Sequence, residues 1–234
     1  MRSLGLLCCA LLMALCGSAA AQAQYRDPPD PFAEDEAGKH EHDGFMFRVT
    51  LGPGWGSFTE RSSVATIGSA GSDRIELGQQ VLDVSGAGLL LGLDLGTALG
   101  ASTALHARLS EMSLPDPGIR ADGEELAPRG DSTRAPTYLG AALSHYLMPL
   151  NLYGTASVGL AVLRQPGFDG DTSLGDVGWG LNLDVGKEWW VSDNWGVGLA
   201  ARYFWLSTSA NAGDGSRRDN SGHMGGLLLS ATYQ

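Results

Sequence analysis

The chain has 234 residues and carries 15 Lys and Arg against 26 Asp and Glu, a formal net charge of −11. An acidic balance of this size disfavours nucleic acid and anionic membrane surfaces as partners. With 34 glycines and 6 tryptophans the composition is also unlike that of an ordinary soluble enzyme.

Residues 1–23 read as a secretory signal peptide. Arg2 supplies the positive start, Leu4 to Leu15 form a short apolar stretch, and Ala21-Gln22-Ala23 gives an A-x-A cleavage site. A lipoprotein signal acylated at Cys16 is the rival reading, and Leu15 opposes it because a small residue is wanted there. Cys8, Cys9 and Cys16 all lie in the segment to be removed, so disulfide and thiol chemistry are not expected in the mature protein. Cleavage also removes Arg2, leaving 15 − 1 = 14 basic against 26 acidic side chains, a net charge of −12.

Residues 24–44 are rich in Pro and acids and lack periodicity, which predicts a disordered periplasmic arm. His40, Glu41, His42 and Asp43 fall within it. A solvated tail explains them better than a metal site, and no metal, cofactor or catalytic residue is assigned anywhere.

Residues 45–234 change character. After the signal peptide no apolar run is long enough for a transmembrane helix, and the nearest stretch, 84–105, is interrupted by Asp94 and several glycines. What replaces it is strict alternation, the pattern of strands with two unlike faces. In the first strand Phe45, Phe47, Val49, Leu51 and Trp55 oppose Arg48, Thr50, Gly52, Gly54 and Gly56. The second sets Ala87, Leu89, Leu91, Leu93 and Leu95 against Gly86, Gly88, Gly92, Asp94 and Gly96. The third sets Leu99, Ala101, Thr103, Leu105 and Leu109 against Ser102, His106, Arg108 and Ser110. The fourth and fifth follow around Leu139–Leu147 and Leu152–Val162. The sixth alternates from Val177 to Trp189, the seventh from Trp195 to Trp205, and the eighth from Leu227 to Tyr233.

The links alternate as well. Those at about 59–82, 111–135, 165–175 and 208–221 are long and polar. The turns at Gly96–Gly100, Met148-Pro149 and Ser192-Asp193-Asn194 are tight. Long loops on one side and short turns on the other are the habit of transmembrane barrels, and an even strand count puts both termini on the short-turn side.

Aromatic spacing sets a length. Phe45 and Trp55, Trp179 and Trp189, and Trp195 and Trp205 are each ten residues apart on outward faces. Ten residues at ~3.3 Å each, tilted by about 40°, climb roughly 25 Å, the height of an outer-membrane apolar band with aromatic belts at both edges. The core of a soluble β-sandwich would not place aromatics in pairs at the two ends of aliphatic stretches.

On this architecture residues 44–234 resemble the small outer-membrane barrels of the OmpA-like and OmpX-like superfamily and, more distantly, OmpW. The resemblance implies an all-β fold, an eight-stranded antiparallel up-and-down transmembrane β-barrel. It also implies insertion by the outer-membrane assembly machinery, which reads a C-terminal strand ending in an aromatic residue. Here Tyr233 is penultimate to Gln234.

The inward-facing charges then carry the lumen. Parity predicts a lower ion-pair layer of Arg48, Asp94 and Glu188, and a middle layer of Arg108, Asp184 and Arg202. Charges inside a narrow barrel must pair, and eight strands leave an interior just wide enough for side chains, so a polar plug is favoured over a pore. Inward glycines (Gly52, Gly92, Gly178, Gly180, Gly196 and Gly198) keep a water-threaded channel in play. Catalytic motifs are absent. Ser144 and His145, adjacent on one strand, point to opposite faces, and His223 near Ser221 lacks an acid. The expected role is therefore structural or surface-interacting, by a monomer in contact with outer-membrane lipid and lipopolysaccharide. A passive channel for ions or small solutes is the alternative, and a lipid-modifying barrel enzyme a remote one.

Overall fold

The structure, a computed structural model, describes residues 44–67, 75–121, 123–126, 133–148, 150–164, 175–192, 194–211 and 217–234. The expected signal peptide and all of the arm but Gly44 lie outside these residues. Ten strands form: β1 (Phe45–Ile67), β2 (Ile75–Gly100), β3 (Thr103–Ser113), β4 (Gly118–Ala121), β5 (Glu124–Leu126), β6 (Ala135–Leu147), β7 (Leu152–Arg164), β8 (Asp176–Trp190), β9 (Trp195–Asn211) and β10 (Arg217–Tyr233).

Eight of them make a closed antiparallel ring in the order β1-β2-β3-β6-β7-β8-β9-β10, with β1 pairing both β2 and β10. The remaining two, β4 and β5, form a hairpin laid against β2 at Leu82–Ser85. Closure leaves the ring without an edge, the condition a sheet must meet to cross a lipid bilayer. The chain is thus an all-β, eight-stranded transmembrane barrel, and no helix among the described residues is long and apolar enough to span.

Burial is inside out. Val185, Leu227 and Leu229 are 68%, 68% and 65% exposed, while Arg48 and Arg108 are 0% exposed. The odd-numbered residues of β1, β8 and β9 face outward, so the aliphatic series and Phe45, Trp55, Trp179, Trp189 and Trp195 all lie on the outer surface. Trp179 and Trp205 meet edge-on at one end of β8 and β9, with ring centroids 4.6 Å apart. Trp195 and Tyr233 do the same at the other end, at 5.4 Å.

Three boundaries differ from the sequence expectation. The polar links at 59–82 and 208–221 are largely strand: β1 and β2 stay paired out to Ile67 and Ile75, and β9 and β10 to Asn211 and Arg217. Alternation there is carried by Thr and Ser, which suit extended backbone without marking an apolar face. Second, the turn between β2 and β3 sits at Ala101-Ser102, with an irregularity between Ala98 and Gly100, so Leu99 and Ala101 do not belong to the third ring strand. Third, the 111–135 link contains the β4–β5 hairpin and a bridge from Leu114 to Arg134, anchored because Ile119 packs on the interior cluster.

The closing seam between the first and last strands has one break. Pairing runs from Phe47↔Tyr233 to Leu51↔Leu229 and resumes at Gly54↔Gly226, passing over Gly52 and Pro53, the second of which has no N–H to give.

Candidate functional site

The lumen is where this barrel concentrates its charge. Strand parity delivers Arg48 from β1, Asp94 from β2, Arg108 from β3, Asp184 and Glu188 from β8, and Arg202 from β9. Register decides who meets whom. Asp94 stands directly opposite Arg48 on one side and Arg108 on the other, and Asp184 stands opposite Arg202.

The six side chains form one connected chain rather than two separate layers. Glu188 lies 2.8 Å from Arg48, and Arg48 lies 3.9 Å from Asp94. Arg108 grips both Asp94 oxygens at 2.8 Å and reaches Asp184 at 2.8 Å. Arg202 closes the series with two bonds of 2.9 Å to Asp184. Three guanidinium groups face three carboxylates, so the chain is neutral, and the bidentate forks are the geometry for which arginine is suited. The two expected layers are joined because Asp94 turns toward Arg108. Arg48 is instead held from below by Glu188, by the Tyr146 hydroxyl, by Thr232 at 3.0 Å and by the Tyr153 ring at 4.4 Å.

Beside this chain is an acid–imidazole–hydroxyl line. His106 Nδ1 is 3.6 Å from Asp94, its Nε2 is 2.9 Å from Ser144 Oγ, and Ser144 is 2.7 Å from Thr155 Oγ1. Sequence reasoning weighed Ser144 only against its neighbour His145, which faces out and meets Thr103 at 3.1 Å. The signal it passed over was shared parity on adjacent strands. The line has the order of a nucleophilic triad. It lacks the surroundings of one: Ser144 is 0% exposed, and both Asp94 oxygens are already engaged by Arg108.

Above the charges the lumen turns apolar. Leu90, Met112, Leu114, Tyr138, Phe204, Leu206, Met224 and Leu228 form one buried cluster, with Tyr138 and Phe204 edge-on at 5.2 Å. Two of the inward glycines are covered by neighbouring side chains. The Phe204 ring covers Gly180, while Thr50 and the Arg202 guanidinium cover Gly92. Two runs that break alternation, Leu89-Leu90-Leu91 and Leu227-Leu228-Leu229, turn their middle leucines inward and so contribute to this layer.

A second polar cluster sits at the mouth. Arg218 lies 3.3 Å from Glu60 and 3.7 Å from Asp176, and Asn220 donates to Asp176 at 2.5 Å. Burial pushes the neighbouring Arg134 guanidinium below its usual value, with Glu60 and Asp176 opposing that shift. Among the described residues no group of His, Cys, Asp and Glu is arranged to hold a metal ion, and His40, Glu41, His42 and Asp43 lie outside them.

No family model matches the chain, and no curated protein does. Among solved structures it is similar to the outer membrane protein OprG from Pseudomonas aeruginosa, at 16% identity and a TM-score of 0.46, over 82% of this chain and 98% of that one. It is similar to Neisserial surface protein A at 13% identity and 0.46, over 80% and 96%. It is also similar to the outer membrane protease OmpT from Escherichia coli at 11% identity and 0.36, over 82% and 97%. What the protein does is read from its own barrel.

Proposed function

We propose that the chain is an outer-membrane barrel with a sealed lumen, whose role is structural or surface-interacting through the strands and loops that rise from its long-loop end. The observation that carries this reading is the stacking of a buried apolar layer directly on a neutral, connected chain of ion pairs. A pore needs a continuous wet path, and the apolar layer opposes one. On this reading the protein is exported, inserted by the assembly machinery as a monomer, and surrounded by outer-membrane lipid and lipopolysaccharide. The 111–135 segment, with Arg120, Glu124 and Glu125 on its hairpin, is a surface available for contact.

The enzyme alternative finds its best expression in Asp94, His106 and Ser144, and full burial denies those groups a substrate. Single-channel recording of the refolded protein in a planar bilayer tests the proposal. Folded protein that adds no conductance is the expected result, and discrete, salt-dependent steps would overturn it in favour of the channel.

A further inference from the structure

The outer surface of β10 carries an opening that internal packing does not explain. Gly225 pairs with Trp55 on one side and Tyr203 on the other, so a residue without a side chain lies between two exposed aromatic rings. At the next position, Gly226, an added Cβ would press into Leu90 and the Pro53 carbonyl, so glycine is required there. At Gly225 an added Cβ would meet only the Arg202 carbonyl oxygen, at an ordinary 3.4 Å. The missing side chain leaves a slot one strand wide, facing the lipid. Tyr203 is fixed at its rim by a 2.6 Å hydrogen bond to His223.

Above the slot the outward residues change in tiers. Register places Ser57 beside His223, then Thr59 beside Ser221 and Ser207, then Arg61 beside Asp219. From Ser57 to Arg61 the surface climbs about 10 Å at ~3.3 Å per residue and a tilt of about 40°. The slot therefore leads from apolar surface, past aromatic rings, across a hydroxyl zone, to guanidinium groups. Arg217 is committed to Asp219 at 2.9 Å, and Thr59 donates to Asp83 at 2.9 Å. Arg61 is exposed and has no ion pair among the described residues.

We propose that this face of β1, β10 and β9 docks one phosphorylated glycolipid of the outer leaflet, with an acyl chain in the Trp55–Gly225–Tyr203 slot, the saccharide on the serine and threonine hydroxyls, and a phosphate on Arg61. A phospholipid carries its phosphate immediately above the acyl chains, at the level of Ser57 and two outward positions below Arg61. The proposal rests on the outer-membrane reading above.

The test is native mass spectrometry of the full barrel in mild detergent. It is offered a diphosphorylated, multiply acylated disaccharide lipid, its dephosphorylated form, or phosphatidylglycerol. The wild-type barrel should retain the phosphorylated glycolipid about tenfold over phosphatidylglycerol, a difference of about 1.4 kcal/mol. Gly225→Leu should abolish retention by filling the slot. Arg61→Ala should keep the glycolipid and lose the preference for its phosphorylated form, and this surface change keeps the test decisive if Gly225→Leu misfolds. Equal retention of phosphatidylglycerol, unchanged retention by folded Gly225→Leu, or an unchanged phosphate preference in Arg61→Ala would each overturn the proposal. Protein that inserts into bilayers but holds no glycolipid defeats the site alone. Protein that stays soluble and never inserts defeats the barrel reading with it.

Discussion

Replacing Asp184 by alanine removes the carboxylate shared by two arginines. Arg108 would keep its fork on Asp94, but Arg202 would lose both of its 2.9 Å bonds and face no other acid within salt-bridge distance among the described residues. Removing one member of a buried pair costs 3–5 kcal/mol, because the partner's desolvation goes uncompensated. With Arg202 4% exposed and Arg108 also weakened, Asp184→Ala should cost about 4 kcal/mol. Asp184→Asn, which keeps shape and one acceptor, should lose somewhat less. The assay is reversible urea unfolding of the barrel in lipid vesicles, followed by tryptophan fluorescence and the heat-dependent gel mobility of folded barrels. The same variant should stay silent in a planar bilayer, since the apolar layer above it is intact. A loss below about 1 kcal/mol would refute the reasoning, because it would mean that water already reaches these charges in the native protein.

Three other outcomes follow from the same geometry. Phe204→Ala removes the ring that covers Gly180 and packs on Tyr138, so it should cost about 3–5 kcal/mol, and combined with Leu90→Ala it should produce conductance steps absent from the wild type. Trp179 and Trp205 should show a coupling of about 1 kcal/mol in a double-mutant cycle of unfolding energies, and additive losses would mean that their edge-on contact is incidental. Ser144→Ala should destabilise the fold by about 1 kcal/mol through its lost hydrogen bonds. A serine-directed fluorophosphonate should leave Ser144 unlabelled in the folded wild type, and labelling there would revive the enzyme reading.

Much of this arrangement is written in parity. A strand shows its two faces in every second residue, so the outward leucines and tryptophans and the inward Arg48, Asp94, Arg108, Asp184, Glu188 and Arg202 can be sorted without knowing the register. Opposition across a tight turn is also readable, as with Asp184 and Arg202. What parity does not convey is which of two equidistant partners a side chain chooses. Asp94 has an arginine opposite it on each side, and only the competing pull of Glu188 and Tyr146 on Arg48 settles its fork on Arg108. The apolar cap was hidden for a different reason: a leucine flanked by leucines carries no alternation signal, so Leu90 and Leu228 merge with the lipid-facing series. Strand ends were overshortened because serine and threonine tiers above the aliphatic band look like loop.

The seam at Pro53 has a consequence for biogenesis. The ring is completed by β1 accepting β10, so every ladder bond between Phe47 and Ser62 of β1 and its partners in β10 waits for that strand. Until Tyr233 arrives, β1 and β9 each present a row of open backbone groups, which hydrocarbon cannot satisfy. A nascent or truncated form therefore has no stable halfway house in the bilayer. The break at Gly52 and Pro53, by omitting two positions within that final contact, divides the closure into two shorter zippers, one on each side of it.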